Sequence, residues 1–418
     1  MNVAEHLQCL SCSTTYSLMD PRVDCECGGL LSVERPAGFA RALDVKTFDA
    51  RLGSRADADR SGVWRFREAV LDVPAALIVT HPEGGTRLYE RPALSRWAGL
   101  SRLAFKHEGE NPTGSFKDRG MTVAVTQAVR LGAAAVACAS TGNTSASLAA
   151  YAAQAGLKAL VFIPAGKVAL GKLSQTLAYG ATCLQVRGDF DAAMRLVQEA
   201  SKVLGVYLLN SINPFRIEGQ KTIVWELLQD LGWDPPDWIV VPAGNLGNTS
   251  AFGKALREAH EGGWIPRVPR LLAVQAKGAN PFARGYREGF VQRHRMTPET
   301  VATAIRIGDP VSWDRARAAI EETRGVVIEV TDAELLEAKA RIDGAGIGCE
   351  PASAVTLAGL RKMRAEGVVR EDERAACILT GHVLKDPDVI LAQKDRIAAR
   401  LIEIEPTLDA VQAALKRT

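Results

Sequence analysis

The sequence predicts an α/β fold built on mostly parallel sheet covered by helices on both faces. Three observations carry the prediction. Short apolar runs recur along the chain and are continuous rather than alternating, as strands buried on both faces require. Helix-length patterns follow several of them, so the order is strand, helix, strand. The chain has 418 residues, enough for two or three units with buried cores, and shows no short-period repeat and no low-complexity segment.

Residues 1–35 read as a small separate unit. Cys9 and Cys12 form a C-x2-C pair, Cys25 and Cys27 a C-x-C pair, and Gly28-Gly29 follows. Four thiolates from two short knuckles suit a tetrahedral structural zinc ion. The start, "MNVAEHLQCLSCSTTYS", lacks the apolar core of an export signal, and no apolar run reaches membrane-spanning length. A cytoplasmic location is expected, where thiols stay reduced and paired cysteines bind metal rather than form disulfides. Cys138, Cys183, Cys349 and Cys377 lie in or beside apolar runs and read as packing residues. Residues 36–61 read as a connector, and 62–418 as the body.

Within the body, "AAAVACAS" (133–140), "KALVFIP" (158–164) and "ATCLQV" (181–186) predict strands. Helices are predicted over "TSASLAAYAAQAG", "KVALGKLSQTLAYG" and residues 189–204. "DWIVVPAG" (237–244), "RLLAVQA" (270–276), "GVVIEV" (325–330) and "AACILT" (375–380) predict further strands. In such sheets ligands bind beyond the carboxyl ends of the strands.

Four loops there are polar. After the strand ending at Pro242 come Gly244, Asn245, Leu246, Gly247 and Asn248, with a helix starting near Thr249. Two glycines and a helix N-terminus can cradle a phosphate, though an ordinary strand-to-helix turn would look similar. "ASTGNTSAS" (139–147) gathers Ser140, Thr141, Asn143, Thr144 and Ser145 in one turn, where a simple cap needs one such residue. "LLNSINPFRIEGQKT" (208–222) offers Asn210 and Ser211, then Arg216, whose guanidinium matches phosphate. In "ILTGHVLKD" (378–386), Thr380 ends a strand. A fifth feature is Lys117 in "GENPTGSFKDRGMT", placed where small residues stop and a helix starts. Together they call for a ligand carrying a phosphate and a group that reacts with an amine.

"GSFKDRG" resembles the lysine motif of pyridoxal-phosphate enzymes of fold type II, the tryptophan synthase β-subunit class. The "SFKDRG" form is most similar to the threonine synthase family. The resemblance extends through "GVWRFRE" (62–68), "STGNTSAS", "NSINPFRIEGQKT", "PAGNLGN", "CEPASA" (349–354) and "TGHVLKDP", collinear over about 62–390. It implies two open, mostly parallel twisted sheets covered by helices. A smaller subdomain at about 105–210 would face the rest across a cofactor cleft, and a zinc-ribbon-like unit would sit at the N-terminus. It makes Lys117 the Schiff-base lysine for pyridoxal 5′-phosphate. Asn143 is implied at the 3′ oxygen, Gly244 to Asn248 at the phosphate, and Thr380 at the pyridine nitrogen. Thr141, Thr144, Asn210, Ser211 and Arg216 are implied for substrate carboxylate and phosphate. Two positions depart from the pattern. "EGGTRLYE" (83–90) has Gly85 and Arg87 where the family usually has Asn and Pro, and Val383 stands where glycine is more usual.

The lysine's position agrees with that role. A helix N-terminus disfavours an ammonium and burial lowers its pKa, both of which free the amine. The implied reaction is conversion of O-phospho-L-homoserine and water to L-threonine and phosphate, by γ-elimination and β-addition of water, with Lys117 as the base. It is the last step of threonine biosynthesis. The alternatives are another type II enzyme, such as a threonine or serine dehydratase or a cysteate synthase, or a zinc-ribbon nucleic-acid-binding protein with an inactive body. The last fits poorly. Residues 1–35 hold only Arg22 and Arg35 against five acidic residues, and the net charge is only +3. The expected partners are a small-molecule substrate and a second copy of the chain in a homodimer, with no nucleic acid and no membrane.

Overall fold

A computed structural model describes residues 5–166, 170–392 and 401–416. Thirteen strands among them form three sheets. The first is a three-stranded antiparallel sheet of β1 (His6–Cys9), β2 (Thr15–Ser17) and β3 (Leu31–Glu34), in the order β2-β1-β3.

The larger sheet of the body has β4 (Leu88–Glu90) and β5 (Arg102–His107) at one edge. The smaller has β6 (Ala135–Ala139), β7 (Lys158–Pro164), β8 (Thr182–Val186) and β9 (Tyr207–Leu208), ordered β8-β7-β6-β9 and wholly parallel. The larger sheet is completed by β10 (Trp238–Pro242), β11 (Arg270–Ala276), β12 (Val326–Val330) and β13 (Arg374–Leu379). Its order is β12-β11-β10-β13-β5-β4, and only β4 runs antiparallel. Every residue of β10 is buried, as its unbroken WIVVP run requires of a central parallel strand.

The predicted strands of the body all form, within a residue or two of their expected ends. The helix Phe190–Leu204 begins behind an Asp189 side chain that accepts from the amide of Ala192. The helix expected from residue 167 is seen over Leu170–Ala178, and its first three residues lie outside the described ones. Strands β4 and β5 were not foreseen. Lys106 and His107, both buried, interrupt the apolar run that would have marked β5.

The chain divides into two compact units, Met1–Lys385 and Asp386–Thr418. The second unit contains the helices Asp388–Leu391 and Leu408–Leu415. At the other end the N-terminal sheet is not packed apart from the body. Leu7, Leu18, Leu31 and Val33 share one hydrophobic core with Phe48, Val70 and Trp225. The Gln127 side chain donates to the Leu18 carbonyl at 2.6 Å.

Polar bonds join the N-terminal sheet to the body as well. Arg35, just after β3, donates to Glu218 at 2.7 Å, to Glu5 at 2.9 Å and to the Val70 carbonyl at 2.7 Å. Glu218 is fully buried and also takes Lys221 and Lys254, each at 2.6 Å. These cations hold its carboxyl far below the usual carboxylate range, against the opposing cost of burial.

The helices Lys117–Arg130 and Pro214–Gln220 cross at two glycines. A Cβ on Gly219 would lie 1.8 Å from the Arg119 carbonyl oxygen, and one on Gly120 would lie 2.9 Å from that of Arg216. Only glycine permits this approach, which brings Lys117 and Arg216 onto neighbouring helices.

Candidate active site

Lys117 opens the helix Lys117–Arg130, and the preceding loop fixes where it points. Ser115 bridges antiparallel to Gly381, the Phe116 amide donates to the Thr380 carbonyl at 3.0 Å, and the His382 amide donates to the Gly114 carbonyl at 2.9 Å. The "GSFK" segment therefore lies along the turn that leaves β13. Asp118 locks the same loop from inside. Its carboxylate accepts from the amide and hydroxyl of Thr113 at 2.7 and 2.6 Å, and from Ser147 at 2.6 Å. The Lys117 Nζ lies 3.9 Å from the centroid of the Phe116 ring. Burial pulls its ammonium down to about 7, the buried Arg216 guanidinium pushes the same way, and Glu350 opposes.

Behind Lys117 sits a buried charge network. Arg119 grips Glu108 with two bonds of 2.6 and 2.7 Å and donates to Glu226 at 2.7 Å. Glu226 also takes Arg65 at 2.9 Å and Lys106 at 2.7 Å, together with the amides of Gly85 and Thr86 at 2.8 and 3.0 Å. The "EGGTRLYE" segment borders this network. Its backbone wraps the Glu226 carboxylate, while the Arg87 side chain faces solvent.

The loop after β10 has the features of an anion cradle. The helix Gly247–Glu261 starts from Leu246, held in left-handed backbone at φ 65°. A Cβ on Gly244 would come within 2.9 Å of the Ile305 Cα. Asn245 braces the loop, donating to Ser211 at 2.5 Å and accepting from the Val311 amide at 2.7 Å. The Nδ2 and Oδ1 of Asn248 and the Oγ1 of Thr249 are buried without a hydrogen-bond partner. The two donors among them, Asn248 Nδ2 and the Thr249 hydroxyl, sit at a helix N-terminus and fit a bound phosphate, which would accept from both.

Of the other expected residues, Ser211 meets this loop through Asn245, and Asn143 and Thr380 meet at Glu350. Asn143 starts the helix Asn143–Ala155, with Thr141 and Thr144 partly exposed beside it. Arg216 is 1% exposed. Its Nη1 donates to the Leu209 carbonyl at 3.1 Å, its Nε has no partner, and it forms no ion pair among the described residues. Burial without a counter-charge brings it down to about 10. Such an arginine is ready for an anion. Asn210 is otherwise engaged. Its amide accepts from the Ala139 amide at 2.9 Å and donates to the Ala139 carbonyl at 3.0 Å, which fixes the end of β6.

Sequence reasoning left Glu350 and Ser353 without a role. Glu350 is buried, accepting from the Asn143 amide at 3.0 Å on one oxygen and from the Thr380 hydroxyl at 2.9 Å on the other. The available signal was the "EPAS" run. A Pro at the first position of the helix Pro351–Ala365 sets Glu350 at its cap, at the edge of the cleft.

In the N-terminal sheet the four sulfurs of Cys9, Cys12, Cys25 and Cys27 lie within 4.8 Å of one another. Neighbouring pairs are 3.4, 3.5 and 3.6 Å apart. Zinc–sulfur bonds of about 2.3 Å in a tetrahedron need edges of about 3.8 Å, so the cluster fits with little adjustment.

The model of the pyridoxal-phosphate dependent enzyme family matches residues 79–381. The chain is 45% identical over 415 residues to the threonine synthase of Methanocaldococcus jannaschii, covering 98% of this chain and 99% of that protein. The chain belongs to the threonine synthase family. The threonine synthase of Methanosarcina acetivorans is 44% identical over 98% of both chains. The solved structure of Escherichia coli threonine synthase shares the fold, with a TM-score of 0.70 at 18% identity, over 93% of this chain and 90% of that one. Maize serine racemase shares it with a TM-score of 0.62 at 22% identity, over 75% of this chain and 93% of that one. A threonine synthase family member of this kind is a pyridoxal-phosphate dependent lyase. Among its described residues no helix is long and apolar enough to cross a membrane.

Proposed function

We propose that this chain converts O-phospho-L-homoserine and water to L-threonine and phosphate, with Lys117 as the catalytic amine. The observation that carries the reading is Lys117 itself, a half-buried amine held down to about 7, near a buried Arg216 that forms no ion pair among the described residues. Pyridoxal phosphate, when bound, supplies the electron sink for charge developing at the substrate's α and β carbons.

The chain's own residues do the rest. Asn248, Thr249 and the amides of Gly244 to Gly247 would hold the cofactor's phosphate, Asn143 its 3′ oxygen and Thr380 its ring nitrogen. Lys117 would take the α-proton, pass it on, then take a β-proton and deliver it to Cγ after phosphate has left; water would add its hydroxyl at Cβ and give its other proton to the departed phosphate, and Lys117 would return a proton to Cα. Arg216 would bind the phosphate of the substrate and keep it close after departure. Thr141, Thr144 and Ser211 would meet the substrate's polar ends, and Asn210 would position the strand end on which Thr141 follows. Cys9, Cys12, Cys25 and Cys27 would hold a structural zinc ion. The proposal extends to a cytoplasmic homodimer, which light scattering on the purified protein tests.

The deciding experiment has two parts. Borohydride reduction of the cofactor-loaded protein should fix the cofactor on Lys117 in a peptide map. Incubation with phosphohomoserine should then release threonine and phosphate together. Release of 2-oxobutyrate from threonine, with no turnover of phosphohomoserine, would make the chain a dehydratase. Failure of labelling at Lys117 would overturn the assignment of the site.

A further inference from the structure

Arg216 and Glu218 share one short helix, Pro214–Gln220, and serve different neighbours. Each residue of an α-helix is turned about 100° from the last, so positions two apart project about 200° round, from nearly opposite faces. Arg216 stands on the side of Lys117, near enough for its charge to lower that amine's pKa. Glu218 stands on the side of the N-terminal sheet. It is fully buried and takes Arg35 at 2.7 Å, Lys221 at 2.6 Å and Lys254 at 2.6 Å. Two of these cations lead to β3. Arg35 follows that strand directly, and Lys254 also donates to the carbonyl of Val33 within it.

The helix is clamped between β3 and the Lys117 helix. On the Lys117 side the approach is backbone to backbone, at Gly219 against the Arg119 carbonyl and at Gly120 against that of Arg216. Arg216 itself has little else to hold it. One nitrogen donates to the Leu209 carbonyl at 3.1 Å, and Nε has no partner. The place of its guanidinium is therefore set chiefly by where its helix lies.

We propose that the Arg35–Glu218 pair holds this helix so that Arg216 stays aligned with the substrate's phosphate, which gives the N-terminal sheet a part in substrate binding. The inference rests on the reading of Arg216 as the residue that binds that phosphate. Arg35 and Glu218 are positioning residues and act only through the helix. Stability alone does not call for charge here, since an apolar contact of equal volume would serve as well. A guanidinium meets a carboxylate at a defined angle, whereas an apolar seam can slide. The charges also close among themselves. Arg35, Lys221 and Lys254 are matched by Glu5, Glu218 and Glu258. Arg216 is left outside this set and free for a ligand.

The test uses the cofactor-loaded enzyme, with phosphohomoserine as substrate and inorganic phosphate as a competing inhibitor. R35Q should raise KM and the inhibition constant of phosphate together, by about fivefold or more, while kcat changes less than about twofold. R35K, which keeps the charge, should recover most of the loss. In an Arg216→Ala background R35Q should change neither constant further, because the group it positions is gone. Unchanged phosphate inhibition in R35Q would overturn the proposal. A lower kcat at constant KM, or effects of R35Q and R216A that simply add, would do the same. Where R35Q does not fold, K254Q cuts the other link between Glu218 and β3 and is read by the same constants and the same criteria. If R216A by itself leaves phosphate inhibition unchanged, it is the assignment of Arg216 that has failed rather than its positioning.

Discussion

Replacing Arg216 by Gln should move the titration of Lys117 upward, and the starting point is already unusual. Burial is the larger cause of the depression to about 7 and the Arg216 charge the second. At pH 7 an amine titrating near 7 is about half neutral, whereas a lysine at 10.5 is neutral in about one molecule in three thousand. The site thus raises the supply of free amine about a thousandfold. Removing the Arg216 charge takes away only the second cause, so R216Q should titrate above the wild type yet below an ordinary lysine. The assay is pH-dependent modification of Lys117 in cofactor-free protein by an amine-directed reagent, read by peptide mapping. The same shift appears in stability. Between about 7 and 10.5 the unfolded chain holds a proton that the folded chain has lost, so this residue's contribution to stability rises with pH across that window. A wild-type inflection near that of free lysine, or an R216Q inflection that falls, would refute the reasoning.

Other expectations follow from the same contacts. Glu226→Gln leaves Arg119, Arg65 and Lys106 facing a neutral amide and should cost roughly 3–5 kcal/mol in denaturant unfolding. Since the folded carboxyl of Glu226 lies well below 4.5, its contribution is present above that pH and is lost as the pH falls, and E226Q should lose less stability on acidification than the wild type. Asp118→Asn removes one acceptor from a group that takes three bonds, and should cost about 1–3 kcal/mol, read as a lower Tm. Arg216→Ala should raise KM for phosphohomoserine roughly tenfold or more while leaving cofactor affinity close to wild type. Cys12→Ser should lower bound zinc, measured by elemental analysis, from one equivalent toward none.

The parallel sheets were legible because their strands are buried on both faces and read as unbroken apolar runs. Strand β5 was not, because Lys106 is buried with its charge matched by Glu226 and Asp230, residues more than a hundred positions away. Pairing across that distance leaves no local signal. The same limit hid Glu350, whose partners Asn143 and Thr380 come from separate parts of the chain. The positions of Lys117 and the glycine loop were legible because each depends on local backbone, a helix start or a turn after a strand. Asn210 shows the opposite case. Its place after a strand drew attention, but its amide is engaged by the backbone of Ala139. The "EGGTRLYE" segment was conspicuous by its departure from pattern, and its place beside Glu226 emerged only with the fold.

The anchoring of the N-terminal sheet also has a history in time. Its tethers are Leu18 to Gln127, Arg35 to Glu218, Val33 to Lys254 and Leu31 to Arg315. The first to be synthesised is made last to be seated, since contacts this far apart in sequence close late. Until Arg315 has left the ribosome, four cysteines and the strands that carry them have no complete surface to rest on. The knuckles must hold their own shape through most of translation, and a bound metal ion is what a sheet of eleven residues would need for that wait. With the proposed zinc ion at these cysteines, metal supply during synthesis, rather than metal content afterwards, would govern how much of the chain arrives correctly assembled.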